Sequence, residues 1–314
     1  MPAATEPAMT RSGVERWFDY RHLSGDDRRP PDVGGGFFDP ADTEVGVWAA
    51  VDLVEPGAAV LDLGSGSGAA AAAVARAGAG QVHGLDVSPA SVDWASGHYR
   101  SENGSTPVTF GWGDYTLLTP DVLVGATPFG RRPDVVMSNP PYVPVPAPPP
   151  GTTRVSIDGG TDGLRLVRVV VGHAAALGSA LALTIGSYTS VRRAASLLAE
   201  HGFGISSITL SALRLGDYTV QHGDRVFDLE RRGEGPLLRT ADGAVHYLVV
   251  GLSCRRPAIA GGAGPVSPDD LLELLRLACR SATVALETCD EPGFTFPVPV
   301  RVLVLPDEPG RLHC

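Results

Sequence analysis

The 314-residue chain contains no lysine. All 25 of its basic residues are arginine, which excludes a lysine Schiff base and reads as genomic base composition rather than as chemistry. Cysteine is scarce. Cys254, Cys279, Cys289 and Cys314 form no C-x-x-C pair and have no histidine at ligand spacing, so they read as structural thiols and no metal site is expected. No apolar run is long enough to span a bilayer, and "MPAATEPAMTRSGVERW" has no apolar core of a signal peptide, so a cytoplasmic protein without membrane contact is expected. Positive charge is in deficit: the formal net charge of −10 argues against gripping duplex nucleic acid, where phosphate neutralisation supplies most of the binding. The eight histidines are dispersed, and no Ser or Cys sits in a nucleophile-elbow pattern, which leaves a hydrolase unsupported. No internal repeat is visible.

What is present is a soluble composition, 43% apolar and 19% charged, long enough for one large α/β domain with additions. Residues 1–42 are rich in Arg, Asp, Pro and Gly and predict one short helix around Val14–His22. "TEVGVWAAVDLV" predicts a helix over 43–54 with Thr43 or Asp42 as cap. From Ala58 strands and helices alternate: "AAVLDLG", "GAAAAAVARAG", "QVHGLDVS", "PASVDWASGHYRS" capped by Ser88, "VTFGWGD", a strand at 134–138, a helix near 161–177, a strand at 180–186 and a helix at 190–202. Such alternation predicts a doubly wound parallel sheet with ligands at the carboxyl ends of its strands. "GISSITLSAL" and "VHYLVVGLS" then read as strands flanking a polar insertion at 213–245, and the extension 255–314 carries a helix at 268–279 and the strand "VRVLVLP".

"VLDLGSGSGAA" sets Gly64, Gly66 and Gly68 in the turn from the first strand into its helix, where glycine permits φ > 0 and close approach of a ligand. Gly64, Gly66 and Ala69 also satisfy the dinucleotide-binding pattern. Three carboxylates bear on the choice. Asp62 stands before the glycines, an odd neighbour for a pyrophosphate but a reasonable one for an ammonium or sulfonium. Asp86 ends the second strand, placed for ribose hydroxyls, and Asp114 follows the third, within reach of an adenine amino group.

In these residues the chain resembles the class I S-adenosylmethionine-dependent methyltransferases over about residues 43–254. The resemblance implies a Rossmann-like, seven-stranded sheet whose last strand is antiparallel, with a short N-terminal helical segment and a C-terminal extension around it. It implies S-adenosylmethionine as cofactor, contacted by Asp62, Gly64, Ser65, Gly66, Gly68, Asp86, Val87, Gly113, Asp114 and Asn139.

The fourth strand ends in "SNPPYVP", Ser138–Pro144. A planar amide, guanidine or aromatic amino nitrogen has a delocalised lone pair, and it attacks a methyl donor only when two acceptors hold both N–H bonds and turn its π face to the donor. The Asn139 side-chain oxygen and the Pro140 carbonyl form such a pair, and proline adds no competing donor. Acceptors that tighten as the nitrogen becomes positive stabilise the transition state. Tyr142 supplies a ring face for the flat acceptor. Asn139, Pro140 and Tyr142 are therefore the catalytic candidates. "NPPY" resembles the signature of amide and amino N-methyltransferases, and "SNPPYVP" with "DGGTDGL" at Asp158–Leu164 is similar to the release-factor glutamine N5-methyltransferases. "FFDPADTE", Phe37–Glu44, keeps Asp42, Thr43 and Glu44 of their pattern.

Only about 40 residues precede that match, so the helical substrate-engaging domain of that family is not expected, while the insertion and the extension are departures. The reading is an N-methyltransferase acting on a small polar metabolite. Its alternatives are a protein glutamine methyltransferase, a nucleic-acid adenine or guanine methyltransferase, and a nicotinamide-dependent oxidoreductase or non-catalytic binding protein. Substrate contacts are expected from Asp42, Thr43, Tyr218, His222, Asp224 and Arg225, with the insertion acting as a lid or as a homodimer interface.

Overall fold

The computed structural model describes residues 8–9, 14–33, 38–99, 108–145, 156–216, 219–220, 223–240, 242–256, 266–280 and 296–306. In chain order its elements are β1 (Ala8–Met9), β2 (Glu15–Trp17), α1 (Pro40–Val51), β3 (Ala59–Leu63), α2 (Ala69–Arg76), β4 (Gln81–Asp86), α3 (Pro89–His98) and β5 (Val108–Trp112). They continue as α4 (Pro120–Ala126), β6 (Val135–Ser138), α5 (Arg165–Leu177), β7 (Ala180–Gly186), α6 (Val191–Glu200) and β8 (Gly204–Arg214). The last are α7 (Asp224–Arg231), β9 (Leu238–Arg239), β10 (Val245–Arg255), α8 (Pro268–Arg280) and β11 (Val300–Leu303).

The central strands run β5-β4-β3-β6-β7-β10-β8, parallel from β5 to β7, with β10 antiparallel to both neighbours. This is the doubly wound seven-stranded sheet expected, with its last strand reversed. Burial on both faces explains the unbroken apolar sequence of β3, all of whose residues are buried. Register brings Asp62 opposite Gly84 of β4 and Met137 of β6, so the ends of β3, β4 and β6 share one rim. The alanines of α2 let it pack closely against α1, which is itself buried from Pro40 through Ala50 except at Thr43.

The short helix expected over Val14–His22 is not formed. Glu15–Trp17 is strand β2, parallel to β11, and β11 in turn runs parallel to β8, so both ends of the chain lengthen the same sheet. Arg301 of β11 secures this edge by stacking 3.9 Å over the Trp48 ring and reaching Asp52, Glu15 and Thr209. Beyond β2, the Glu44 carboxylate accepts the backbone N–H groups of Arg21, His22 and Leu23, which fixes that stretch in non-helical form. Helix α1 begins at Pro40, upstream of the expected start, because Asp39 caps the Ala41 and Asp42 N–H groups and proline fills the first turn at no hydrogen-bond cost.

The insertion is folded rather than a polar excursion. Val226, Leu229, Leu237 and Leu238 are buried, and Arg276 of α8 donates to the Gly233 carbonyl. Cys254 and Cys279 are free buried thiols, while Cys289 and Cys314 lie outside the described residues. The buried His83 and His173 bond Thr109 and the Tyr115 carbonyl, and the exposed His98 stacks on Trp94. Among the described residues no helix is long and apolar enough to cross a membrane, and no group of three His, Cys, Asp or Glu side chains is placed to hold a metal ion.

Candidate active site

The loop leaving β3 turns through Gly64, Gly66 and Gly68 with φ of +81°, +51° and +78°, values that L side chains rarely adopt. A Cβ at Gly68 would lie 2.7 Å from Phe110 and 2.9 Å from Ala95, so glycine also lets α2 start flush against β5 and α3. Gly64 and Ser65 donate their N–H groups to Leu85, and Gly66 donates to Asp86 Oδ2 at 2.8 Å. Asp86 Oδ1 accepts from Ser88 N–H at 2.8 Å. Asp86 therefore shapes the loop, and each of its oxygens retains a lone pair for a further donor.

Asp62 is buried, its Oδ2 has no partner, and burial together with the neighbouring Asp86 charge pushes its carboxyl up to about 7. Ser65 Oγ beside it is likewise buried and unpartnered. A buried acceptor without a donor is costly unless a ligand completes it, and a cation suits this one best. The residues thus fit a cationic ligand such as S-adenosylmethionine. Val87 is half exposed, and its carbonyl accepts from the Trp112 indole. Gly113 N–H donates to the Asp86 carbonyl. Asp114 accepts from Thr116 N–H and Oγ1, so its carboxylate serves a local turn.

Ser138 Oγ donates to the Leu63 carbonyl at 2.6 Å, which ties the end of β6 to the glycine loop. The next residues line a cleft of about 560 Å³, counted to its open mouth, with Asp39, Asp42, Tyr188, Arg214, Thr219 and Tyr247 around Asn139, Pro140 and Tyr142. Asn139 Oδ1 is buried with no partner. Tyr142 donates its phenol to Asp42 Oδ2 at 2.8 Å and packs its ring between Tyr188 and Tyr247, with centroids 5.9 and 6.4 Å away. Burial, then the Asp39 charge, raises Asp42 to about 7.

The segment "DGGTDGL" clamps this turn. Val143 exchanges backbone bonds with Ile157 and Gly159, and Gly159 and Gly163 lie so close to Tyr142 that a Cβ would fall 2.7 Å and 2.6 Å from its backbone.

The substrate candidates scatter. Asp42 is in the cleft. Thr43 turns away, its hydroxyl donating to the Asp39 carbonyl within α1. Arg225 does not reach the cleft, because it bonds the Thr161 carbonyl and Asp228, and the exposed Asp224 merely opens α7. Tyr218 and His222 lie outside the described residues. Arg214, Tyr188 and Tyr247 were not expected. Tyr188 stands two residues past the end of strand β7, at the carboxyl end that the doubly wound pattern marks, whereas Tyr247 and Arg214 face the cleft only because β8 and β10 pair.

Residues 60–123 match the methyltransferase domain family. The release factor glutamine methyltransferase of Moorella thermoacetica is 34% identical over 158 residues, 46% of this chain and 53% of that protein. That of Rhodospirillum rubrum is 32% identical over 155 residues, 46% and 45% of the two chains. The chain spans about half the length of these relatives. Among solved structures, a putative RNA methyltransferase of Pyrococcus horikoshii aligns at TM-score 0.45 and 17% identity, covering 70% of this chain and 91% of that one. Residues 60–123 therefore match a methyltransferase domain, and over about half of its length the chain is similar to the release factor glutamine methyltransferases.

Proposed function

We propose that this chain is an S-adenosylmethionine-dependent N-methyltransferase whose acceptor is a primary carboxamide, the glutamine side chain of a protein such as a release factor. The observation that carries this reading is the unpartnered, buried Asn139 Oδ1, next to Pro140 and tied through Ser138 to the glycine loop. Bound at that loop, the cofactor supplies an electrophilic methyl group. Asn139 and the Pro140 carbonyl take the two N–H bonds of the carboxamide and hold its nitrogen in one plane. Pro140 and Tyr142, both buried, keep water from that nitrogen. The similarity to release factor glutamine methyltransferases supports a protein acceptor over the small metabolite expected from the sequence. A free small acceptor stays in view for one reason: Gly216 and Thr219 of the insertion wall the cleft beside Arg214, a guanidinium suited to a carboxylate.

Labelled-methyl transfer decides between them. Incubation with a release factor, followed by mass spectrometry, is expected to give N5-methylglutamine. Labelling of free carboxamide amino acids with none of the release factor would reverse the assignment.

Two binding predictions belong to the cofactor half of the site. Asp86→Ala is expected to weaken S-adenosylmethionine by about 1–3 kcal/mol in calorimetry, the scale of hydrogen bonds to a charged group. Unchanged affinity would remove Asp86 from the site. Asp62, raised to about 7, holds part of a proton at neutral pH; a cation beside it favours the charged form, so cofactor binding near pH 7 should release protons. Binding enthalpies that do not vary with buffer ionisation enthalpy would contradict that role.

A further inference from the structure

We infer that the acceptor cleft holds an organic cation, a guanidinium or primary ammonium group, on Asp42 Oδ1, so that the acceptor carries a positive charge beside the nitrogen it presents for methylation. The inference deepens the proposed function and rests on it only for the methylation arm of its test.

Two buried oxygens of this cleft have no partner among the described residues, Asn139 Oδ1 and Asp42 Oδ1. A primary carboxamide has two N–H bonds, and Asn139 with the Pro140 carbonyl uses both. Asp42 Oδ1 therefore calls for a further donor. Asp42 is 0% exposed, and its other oxygen accepts from the Tyr142 phenol at 2.8 Å. A neutral N–H would fill the empty lone pair but leave a buried negative charge uncompensated, whereas a cation answers both needs.

The walls of the cleft point the same way. Asp39, just before α1, adds a second carboxylate, its Oδ1 held by the Ala41 and Asp42 N–H groups. Tyr142 after β6, Tyr188 after β7 and Tyr247 of β10 also line it, with ring centroids 5.9, 6.4 and 4.6 Å apart. Phenol rings attract cations through their π faces, and burial keeps these three protonated and neutral. Among the described residues lining the cleft, Arg214 carries the only positive charge, and it stands exposed at the end of β8. It is not among the groups that set the Asp42 carboxyl, which burial and the Asp39 charge push up to about 7. The cleft thus joins an unanswered carboxylate oxygen, a second acid and three aromatic rings, the surroundings that suit a cation.

The binding arm uses protein saturated with S-adenosylhomocysteine, which leaves the acidic Asp62 pocket no part in the result. Calorimetric titration with propylguanidinium chloride and with its neutral counterpart N-propylurea should show the cation bound on the order of tenfold more tightly, the scale of a hydrogen bond to a charged group. Asp42→Asn should remove that difference. The wild type supplies a second measurement that needs no variant: a cation binds the ionised carboxylate, so its affinity should be full above about pH 7 and weaken as pH falls through that value, while N-propylurea should show no such loss. The methylation arm compares end-blocked glutamine peptides that carry arginine or its uncharged analogue citrulline next to the glutamine. The arginine peptide should have the lower KM, on the order of tenfold, and Asp42→Asn should bring the two together. Propylguanidinium that binds no better than N-propylurea, a preference that survives in Asp42→Asn, or equal KM for the two peptides in the wild type would overturn the inference. Propylguanidinium held through Asp42 by a protein that methylates no glutamine would reject the carboxamide reading and uphold the cation site.

Discussion

Asn139→Ala is expected to lower turnover at least a hundredfold, about 2.7 kcal/mol of barrier, while S-adenosylmethionine binds almost as in the wild type. The asymmetry follows from where the side chain points. Asn139 Oδ1 has no partner among the described residues, so truncation breaks no hydrogen bond of that oxygen. What it removes is an acceptor that tightens only as the attacking nitrogen gains positive charge, and such an interaction appears in kcat rather than in ground-state binding. In the proposed site the cofactor is held mainly by Asp62, the glycine loop and Asp86, which the substitution does not touch. Single-turnover kinetics beside calorimetry separates the two quantities. Wild-type turnover in Asn139→Ala would sink the nitrogen-orienting role, and a parallel loss of affinity and turnover would move Asn139 into the cofactor site.

Gly163→Ala is expected to cost both stability and activity although it adds one methyl group outside the cleft. Gly163 has φ +77°, and a Cβ there would stand 2.6 Å from the Tyr142 carbonyl oxygen and 2.7 Å from Thr189 Cγ2. The left-handed backbone costs an L residue about 1–2 kcal/mol, and overpacking typically adds about 1–3 kcal/mol. For a domain of this size each kcal/mol corresponds to roughly 2–4 °C, so Tm should fall by about 5–15 °C. Relief of the contact displaces Tyr142, and with it the hydrogen bond to Asp42, so turnover should fall well below the wild type even where the variant is fully folded. Gly172→Ala is the matched control. It lies inside α5 with open space around its missing Cβ, and it should stabilise the protein by about 0.5–1 kcal/mol through helix propensity. Equal melting temperatures for the two variants would show that "DGGTDGL" does not clamp the Asn-Pro-Pro-Tyr turn.

Both predictions rest on residues that stand out in the one-dimensional chain, yet for different reasons. Asn139 is legible because two prolines forbid a strand from continuing and leave an amide at its end. The glycines of 159–163 are visible as a pattern, but their purpose is not, since the Tyr142 backbone they touch lies some twenty residues away. The charged candidates of the insertion illustrate the opposite failure. Arg225 reads as a free cation in a polar stretch, but its guanidinium is spent on Asp228 and the Thr161 carbonyl. Arg214, a single residue ending a strand, carries no local signal at all.

Sequence alone was sufficient for everything governed by local period and backbone chemistry. Alternating apolar strands and helices dictated the doubly wound sheet, and the glycine cluster marked the loop after β3. These follow from interactions within a few residues or from one repeated rule of packing. Tertiary structure decided the rest. It brought Asp42 from α1 against Tyr142, one hundred positions along the chain, and closed Tyr188 and Tyr247 around them. It also turned the N-terminal stretch from an expected helix into β2, because β11, paired to β8, offered an open edge. Burial raises a carboxyl and an unpaired edge selects a strand only once distant segments have met, and no local pattern encodes that meeting.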